Sequence, residues 1–190
     1  MLPHQNKQFC NSVSELMILM KNTMQFETQS VYDHGLSVNY HYNYLISIFR
    51  GWKEDIFDLP SELHEWFDRN YQKLFDGTTT EIYHIFHDCG KPLCLSYDEN
   101  GRKHFYNHDN ISAEQYKLIN PHDDIICTLI KNDMKYHFKE TPDIPDLYKP
   151  TLFLTAWAEL LANSAMFGGI ESVSYKIKKK NLIKHLKRGI

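Results

Sequence analysis

The stretch EIYHIFHDCGKPLCL, residues 81–95, places a His-Asp pair, His87-Asp88, at the end of an apolar run and follows it with a tight Cys-Gly-Lys-Pro turn. Histidine and carboxylate are common partners in the first coordination shell of a divalent metal. Adjacent residues can both reach one ion where a helix stops, because the backbone changes direction there. Lys91, three residues beyond Asp88, adds a compact ammonium able to contact a phosphate held by such an ion. His87 and Asp88 are therefore candidate metal ligands, and Lys91 a candidate phosphate contact. A capped surface turn would use the same residue types, so the dipeptide alone leaves both readings open.

Other residues invite the same question. Glu159 lies inside the apolar stretch TLFLTAWAELLANSAMF, where a carboxylate needs a partner or an ion. Asn163 follows it by one helical turn. Asp133 and His137 are four apart on an expected helix and share a face of it, as part of a site or as a solvated helix end. At the C-terminus, residues 176–190 carry seven of the chain's 21 Lys and Arg and none of its 24 Asp and Glu. This basic segment on an otherwise acidic chain could track a nucleic-acid backbone through Lys176, Lys178, Lys179 and Lys180, or simply be a solvated surface.

The elements that must position these residues are mostly helical. Phe9, Val13, Leu16 and Met20 have helical spacing within 6–24. Residues 31–50 read as a second helix, with Val31, Leu36, Val38, Tyr42, Leu45 and Ile46 as its core face. Gly35 would cost that helix about 1 kcal/mol relative to alanine, which suggests that it is there for close packing. Ser61 is a candidate N-cap for a helix over 62–75, DGTTT a loop, and 81–88 a short helix. Asn100-Gly101 predicts a β-hairpin over about 93–106. Ser112 and Glu114 open a helix that Pro121 interrupts, and a further helix is expected over 122–137. The most apolar helix spans 151–167, closed by Gly168-Gly169. A strand over 172–177 and a short basic helix end the chain.

A length of 190 residues suits one domain, and 42% hydrophobic with 24% charged residues argues against disorder. No apolar run approaches the ~20 residues needed to span a bilayer, and the N-terminus lacks the layout of an export signal. The four cysteines are scattered, which favours free thiols and a cytoplasmic setting over a disulfide framework. Homo-oligomerisation is compatible with all of this.

SVYDHGLSVNYHYNYLI followed by FHDCGKP resembles the HD-domain metal-dependent phosphohydrolase superfamily, in which a first histidine precedes a His-Asp doublet and a late carboxylate completes the site. GRKHFYNHDNISAE and LINPHDDIICTLIKNDM extend the likeness to the HD domain of CCA-adding tRNA nucleotidyltransferases. The resemblance covers about residues 30–167. It implies one HD-type domain over 1–190, mainly α, a helical bundle with one small β-hairpin. Residues 1–29 would add an N-terminal helix, and 170–190 a basic extension. By the same resemblance His34, His87, Asp88 and Glu159 would hold a divalent cation (Mn, Mg, Co, Ni or Fe). Asp88, Lys91 and His108 would act in catalysis. Asp133, His137 and Asn163 would lie in a second shell or at a second metal. Two departures stand out: Asp133 occupies the place of a histidine and Glu159 that of an aspartate. The implied activity is hydrolysis of phosphomonoesters or 2′,3′-cyclic phosphodiesters on nucleotides or on RNA or DNA ends, by metal-activated water. The alternative is a degenerate HD domain that binds a nucleotide, nucleic acid or protein without turnover.

Overall fold

A computed structural model describes residues 8–138 and 143–189. The chain is mainly α, with 64% of it helical and only small β-hairpins among the described residues. No described helix is long and apolar enough to cross a membrane. Contacts group the chain into two units, each assembled from two stretches: 1–36 with 82–131, and 37–81 with 132–190.

In the first unit, α1 (Val13–Asn22) starts where the Ser12 hydroxyl accepts from the Glu15 N–H, and it buries Leu16 and Met20. Phe9 and Val13 stay exposed, so the apolar face is shorter than its spacing predicts. The strands β1 (Met24–Phe26) and β2 (Gln29–Ser30) form a hairpin that the sequence reading did not contain. It leads directly into α2 (Val31–Phe49), whose first residues belong to this unit. Helix α4 (Gly77–Phe86) begins in the second unit and ends in this one. It starts within DGTTT, not after it: both Asp76 carboxylate oxygens are engaged, accepting from the Thr78 and Thr79 N–H groups and from the Thr79 hydroxyl. Asp76 therefore supplies the cap that turns an expected loop into a first helical turn.

The one-turn α5 (Lys91–Cys94) follows, and then β3 (Leu95–Tyr97) pairs with β4 (Lys103–Phe105). This is the hairpin predicted from Asn100-Gly101, and Gly101 takes the positive φ, +74°, that the turn requires. Helix α6 (His108–Ile119) begins four residues before Ser112, because Asn107 adopts the left-handed conformation at φ 60° and sets the chain turning there. The unit closes with α7 (Asp124–Asn132), capped by Asp123, whose carboxylate accepts from the Ile126 N–H at 3.1 Å and from the Tyr116 hydroxyl at 2.8 Å.

The second unit is built around α8 (Lys149–Ala162), which is buried on every face from Pro150 to Leu161. A helix apolar all round has no solvent side, in keeping with its composition. Phe153 is packed edge-on by Trp66 of α3 (Ser61–Asn70) and by Tyr136, at ring-centroid distances of 4.8 and 5.2 Å. The rest of α2 adds Val38, Tyr42, Leu45 and Ile48 to the core. Leu36, expected on that face, is 42% exposed. Ser61 is the first residue of α3, not its cap, and makes no capping bond. Residues Asp133–His137 form a 3₁₀ helix where a continuous α-helix was expected. The helix expected to run to 167 stops at Ala162, and Gly168, at φ 85°, instead caps a separate 3₁₀ turn over Ala165–Phe167. The C-terminal segment is a single helix, α9 (Val173–Lys187), with no preceding strand. The Ser172 hydroxyl accepts from the Tyr175 N–H at 3.2 Å, so the β-branched look of SVSYKI is overridden by a helix cap.

Candidate metal centre

The first unit gathers five of the residues singled out in the sequence. His34 lies in the first turn of α2 and is 1% exposed. Next to it, Gly35 makes close backbone approach possible: a Cβ there would stand 2.7 Å from the His84 carbonyl oxygen and 2.8 Å from that of Ile85. Gly35 thus lets the strand of backbone carrying His34 reach the end of α4, which confirms its expected role in close packing.

His87 and Asp88 follow directly on the last residue of α4, in a turn closed by Cys89 N–H donating to the Phe86 carbonyl and Lys91 N–H donating to that of Asp88. Gly90, inside the turn, has an ordinary φ of −80°. Its requirement is space: a Cβ would come within 2.4 Å of the Ser112 nitrogen, where α6 crosses. The Ser112 hydroxyl accepts from the Gly90 N–H at 2.8 Å and fixes that crossing.

The Asp88 carboxylate is the hub. His87 Nε2 lies 3.2 Å and His34 Nε2 3.6 Å from its Oδ2, and His108 Nε2 lies 3.4 Å from Oδ1. The Lys91 ammonium pairs with Oδ2 as well. Burial pushes the Asp88 carboxyl upward, but the Lys91 charge, then His87 and His108, outweigh it and hold the group well below the usual carboxylate range.

Two imidazoles are oriented from behind. His87 Nδ1 lies 2.7 Å from the His84 carbonyl, and His108 Nδ1 lies 2.9 Å from that of Phe105. A carbonyl can only accept, so each Nδ1 is assigned the proton and each Nε2, in the neutral ring, presents a lone pair toward Asp88. A lone pair facing a carboxylate oxygen is repulsive unless a second proton or a cation mediates between them. Carbonyl-anchored imidazoles of this kind are the usual way metal-binding histidines are oriented.

The donor spacing is near what a first-row metal needs. Bonds of about 2.1 Å place neighbouring ligand atoms about 3.0 to 3.4 Å apart in octahedral or tetrahedral geometry. The two imidazole-to-carboxylate spacings, 3.2 and 3.6 Å, are close to that range, and one ligand atom from each of His34, His87 and Asp88 lies within 4.8 Å of the others. These buried residues could hold a metal ion.

Gln25 was missed in the sequence. It is a buried residue of β1 whose side-chain oxygen accepts from Lys91 Nζ at 2.8 Å, so Lys91 is held from two sides. No motif marks it, and the hairpin that delivers it is built of strands of three and two residues.

The remaining candidates belong to the second unit. Glu159 is buried, and its Oε2 lies 2.9 Å from His137 Nε2. Burial disfavours the charged imidazole, but Glu159, backed by Asp133, overrides it and raises the His137 pKa above its ordinary value. Asp133 and His137 lie on a 3₁₀ turn, so four residues are more than a full turn and the two do not share a helix face as expected. Asn163 ends α8, its N–H donating to the Glu159 carbonyl at 2.9 Å, which is a backbone role. On α9, Lys176 pairs with Glu171, Lys178 lies over the Phe167 ring and Lys179 donates to the Asp58 carbonyl, whereas Lys180 is exposed.

A scan against protein-family models found no match, and searches of the curated proteins and of the solved structures found none either.

Proposed function

We propose that the protein is a divalent-metal-dependent phosphohydrolase acting on nucleotides or on nucleic-acid ends. The observation that supports this most is the convergence of His34, His87 and His108 on the buried Asp88 carboxylate, with the Lys91 ammonium on the same group. That donor set suits Mn, Mg, Co, Ni or Fe without choosing among them. A cation there would supply an activated water and neutralise phosphate charge. His34, His87 and Asp88 would hold it. Lys91, positioned by Gln25, offers a charge to a non-bridging phosphate oxygen. His108, partly open to solvent, is placed to donate a proton to a leaving oxygen.

A second reading is favoured by one specific contact. Lys91 already satisfies Asp88, so the cluster has a charge-balanced, metal-free arrangement that would serve a domain that binds without turnover.

The test measures phosphate and phosphodiester release with added Mn or Mg from 2′,3′-cyclic nucleotides, 5′-nucleotides, dNTPs and bis(p-nitrophenyl) phosphate. Wild type should turn over at least one substrate, and Asp88→Ala none. Folded protein that releases nothing with any metal would establish the binding-only reading in its place.

A further inference from the structure

In the second unit, the loop that follows α2 touches the basic helix α9. Lys179 Nζ donates to the main-chain carbonyls of Asp58 at 2.7 Å and Phe57 at 3.4 Å. Tyr175, Leu182 and His185 form the buried side of α9. The helical period then gathers Lys176, Lys180, Lys184 and Lys187 along the opposite side, and all four are exposed. The helix contains no acidic residue. Glu171, just before it, makes one exposed pair with Lys176 at 2.9 Å.

Helix α2 and the loop after it contribute rings. Tyr40 is 58% exposed and Trp52 74% exposed. Tyr44 lies 6.0 Å from Tyr40 and 5.6 Å from Phe57 between ring centroids. Lys53 Nζ stands over the Tyr44 ring at 4.4 Å, with Tyr40 at 5.9 Å. Asp55, on the same loop, is engaged in accepting from the Phe57 and Leu59 N–H groups at 2.9 and 2.8 Å. Glu54 and Asp58 remain exposed beside Lys53, so the positive charge belongs to α9, and the contribution of α2 and its following loop is aromatic.

Cations on a helix whose Lys179 contacts the loop at Phe57, itself packed toward Tyr44 and Tyr40, match the chemistry of a strand whose phosphates are regular and whose bases are unstacked. We infer that this surface binds single-stranded nucleic acid, its phosphates on the lysine row of α9 and its bases against Tyr40, Tyr44 and Trp52. An acidic polypeptide would use the lysines but has no planar groups for the rings, and a duplex keeps its base faces covered. This site uses none of the residues of the candidate metal centre and does not depend on their activity.

The test is fluorescence anisotropy of a labelled single strand of about 12 nucleotides against the full chain, between about 50 and about 200 mM salt. Binding should weaken with salt. Lys180→Ala with Lys184→Ala should make the log–log salt slope shallower by about 1.4. Tyr40→Ala with Trp52→Ala should leave the slope alone and weaken binding by about thirtyfold or more. A duplex of equal length and poly-glutamate should compete poorly. The inference is overturned by absence of salt-dependent binding, by lysine or aromatic variants that bind like wild type, or by duplex or poly-glutamate competing as well as the single strand. All four substituted residues are exposed, and unchanged circular dichroism checks that the variants fold.

Discussion

Each unit buries a carboxylate against histidine, but in different company. Asp88 faces three imidazole nitrogens and an ammonium, whereas Glu159 pairs with the imidazole of His137, with Asp133 nearby. Burial opposes charge in both places, and in both it loses. At Asp88 the Lys91 charge, with His87 and His108, holds the carboxyl well below its usual range, and at His137 the Glu159 and Asp133 carboxylates raise the imidazole pKa above its ordinary value. The sign of the neighbouring charges, more than the depth of burial, sets the direction of each shift.

The comparison breaks first at the carboxylates themselves. Asp88→Ala strands Lys91 without its buried counter-charge and should cost about 3–5 kcal/mol in urea denaturation. Glu159→Gln should cost about 1–3 kcal/mol, because His137 can discharge by releasing a proton. Equal costs would mean that the two clusters are alike after all. Next comes the backbone beneath the first cluster. Gly90→Ala drives a Cβ toward the Ser112 nitrogen and should cost about 1–3 kcal/mol, with His108 displaced along with α6; a neutral result would show that the crossing is loose.

Acidity should then separate the two units in opposite directions. The lowered Asp88 pKa contributes stability that is present above the unfolded value of about 3.9 and is lost as pH falls through the lower folded value. The raised His137 pKa contributes stability that is full below about 6.5 and is lost as pH rises through the higher folded value. The stability gap between wild type and His137→Gln should therefore shrink above about pH 6.5; a gap that widens there would reverse the assignment. The smallest expected effect is at Gln25. Gln25→Leu removes one bond to Lys91 and should cost about 1 kcal/mol, whereas a loss as large as that of Asp88→Ala would make Gln25 the main anchor of Lys91.

Much of the first cluster was legible because the chemistry sits in short, local patterns. His87, Asp88 and Lys91 are within one turn, and Gly35 beside His34 announced a close approach. Gln25 was not legible, since its value comes from a hairpin formed by five residues and from meeting Lys91 66 positions away. Helix starts were misjudged wherever a single cap decided them: Asp76 before α4, Asn107 before α6 and Ser172 before α9. At α4 and α6 a helix was expected but its launching residue was not, and at α9 the start was read as a strand. The cations of α9 were visible as composition, but the contact of Lys179 with the loop after α2 was not, because it joins residues more than a hundred positions apart.

The Gln115 side chain clasps the main chain of Cys10, accepting from its N–H at 2.7 Å and donating to its carbonyl at 2.9 Å across 105 positions. For a chain emerging from a ribosome, this clasp is a timing device. The N-terminal segment must wait through the synthesis of the whole first portion of the second unit before its partner exists. The first unit becomes completable once residue 131 has emerged, while the second still lacks α8 and α9. Birth order alone therefore favours the metal-binding candidate as the first part of the protein to mature.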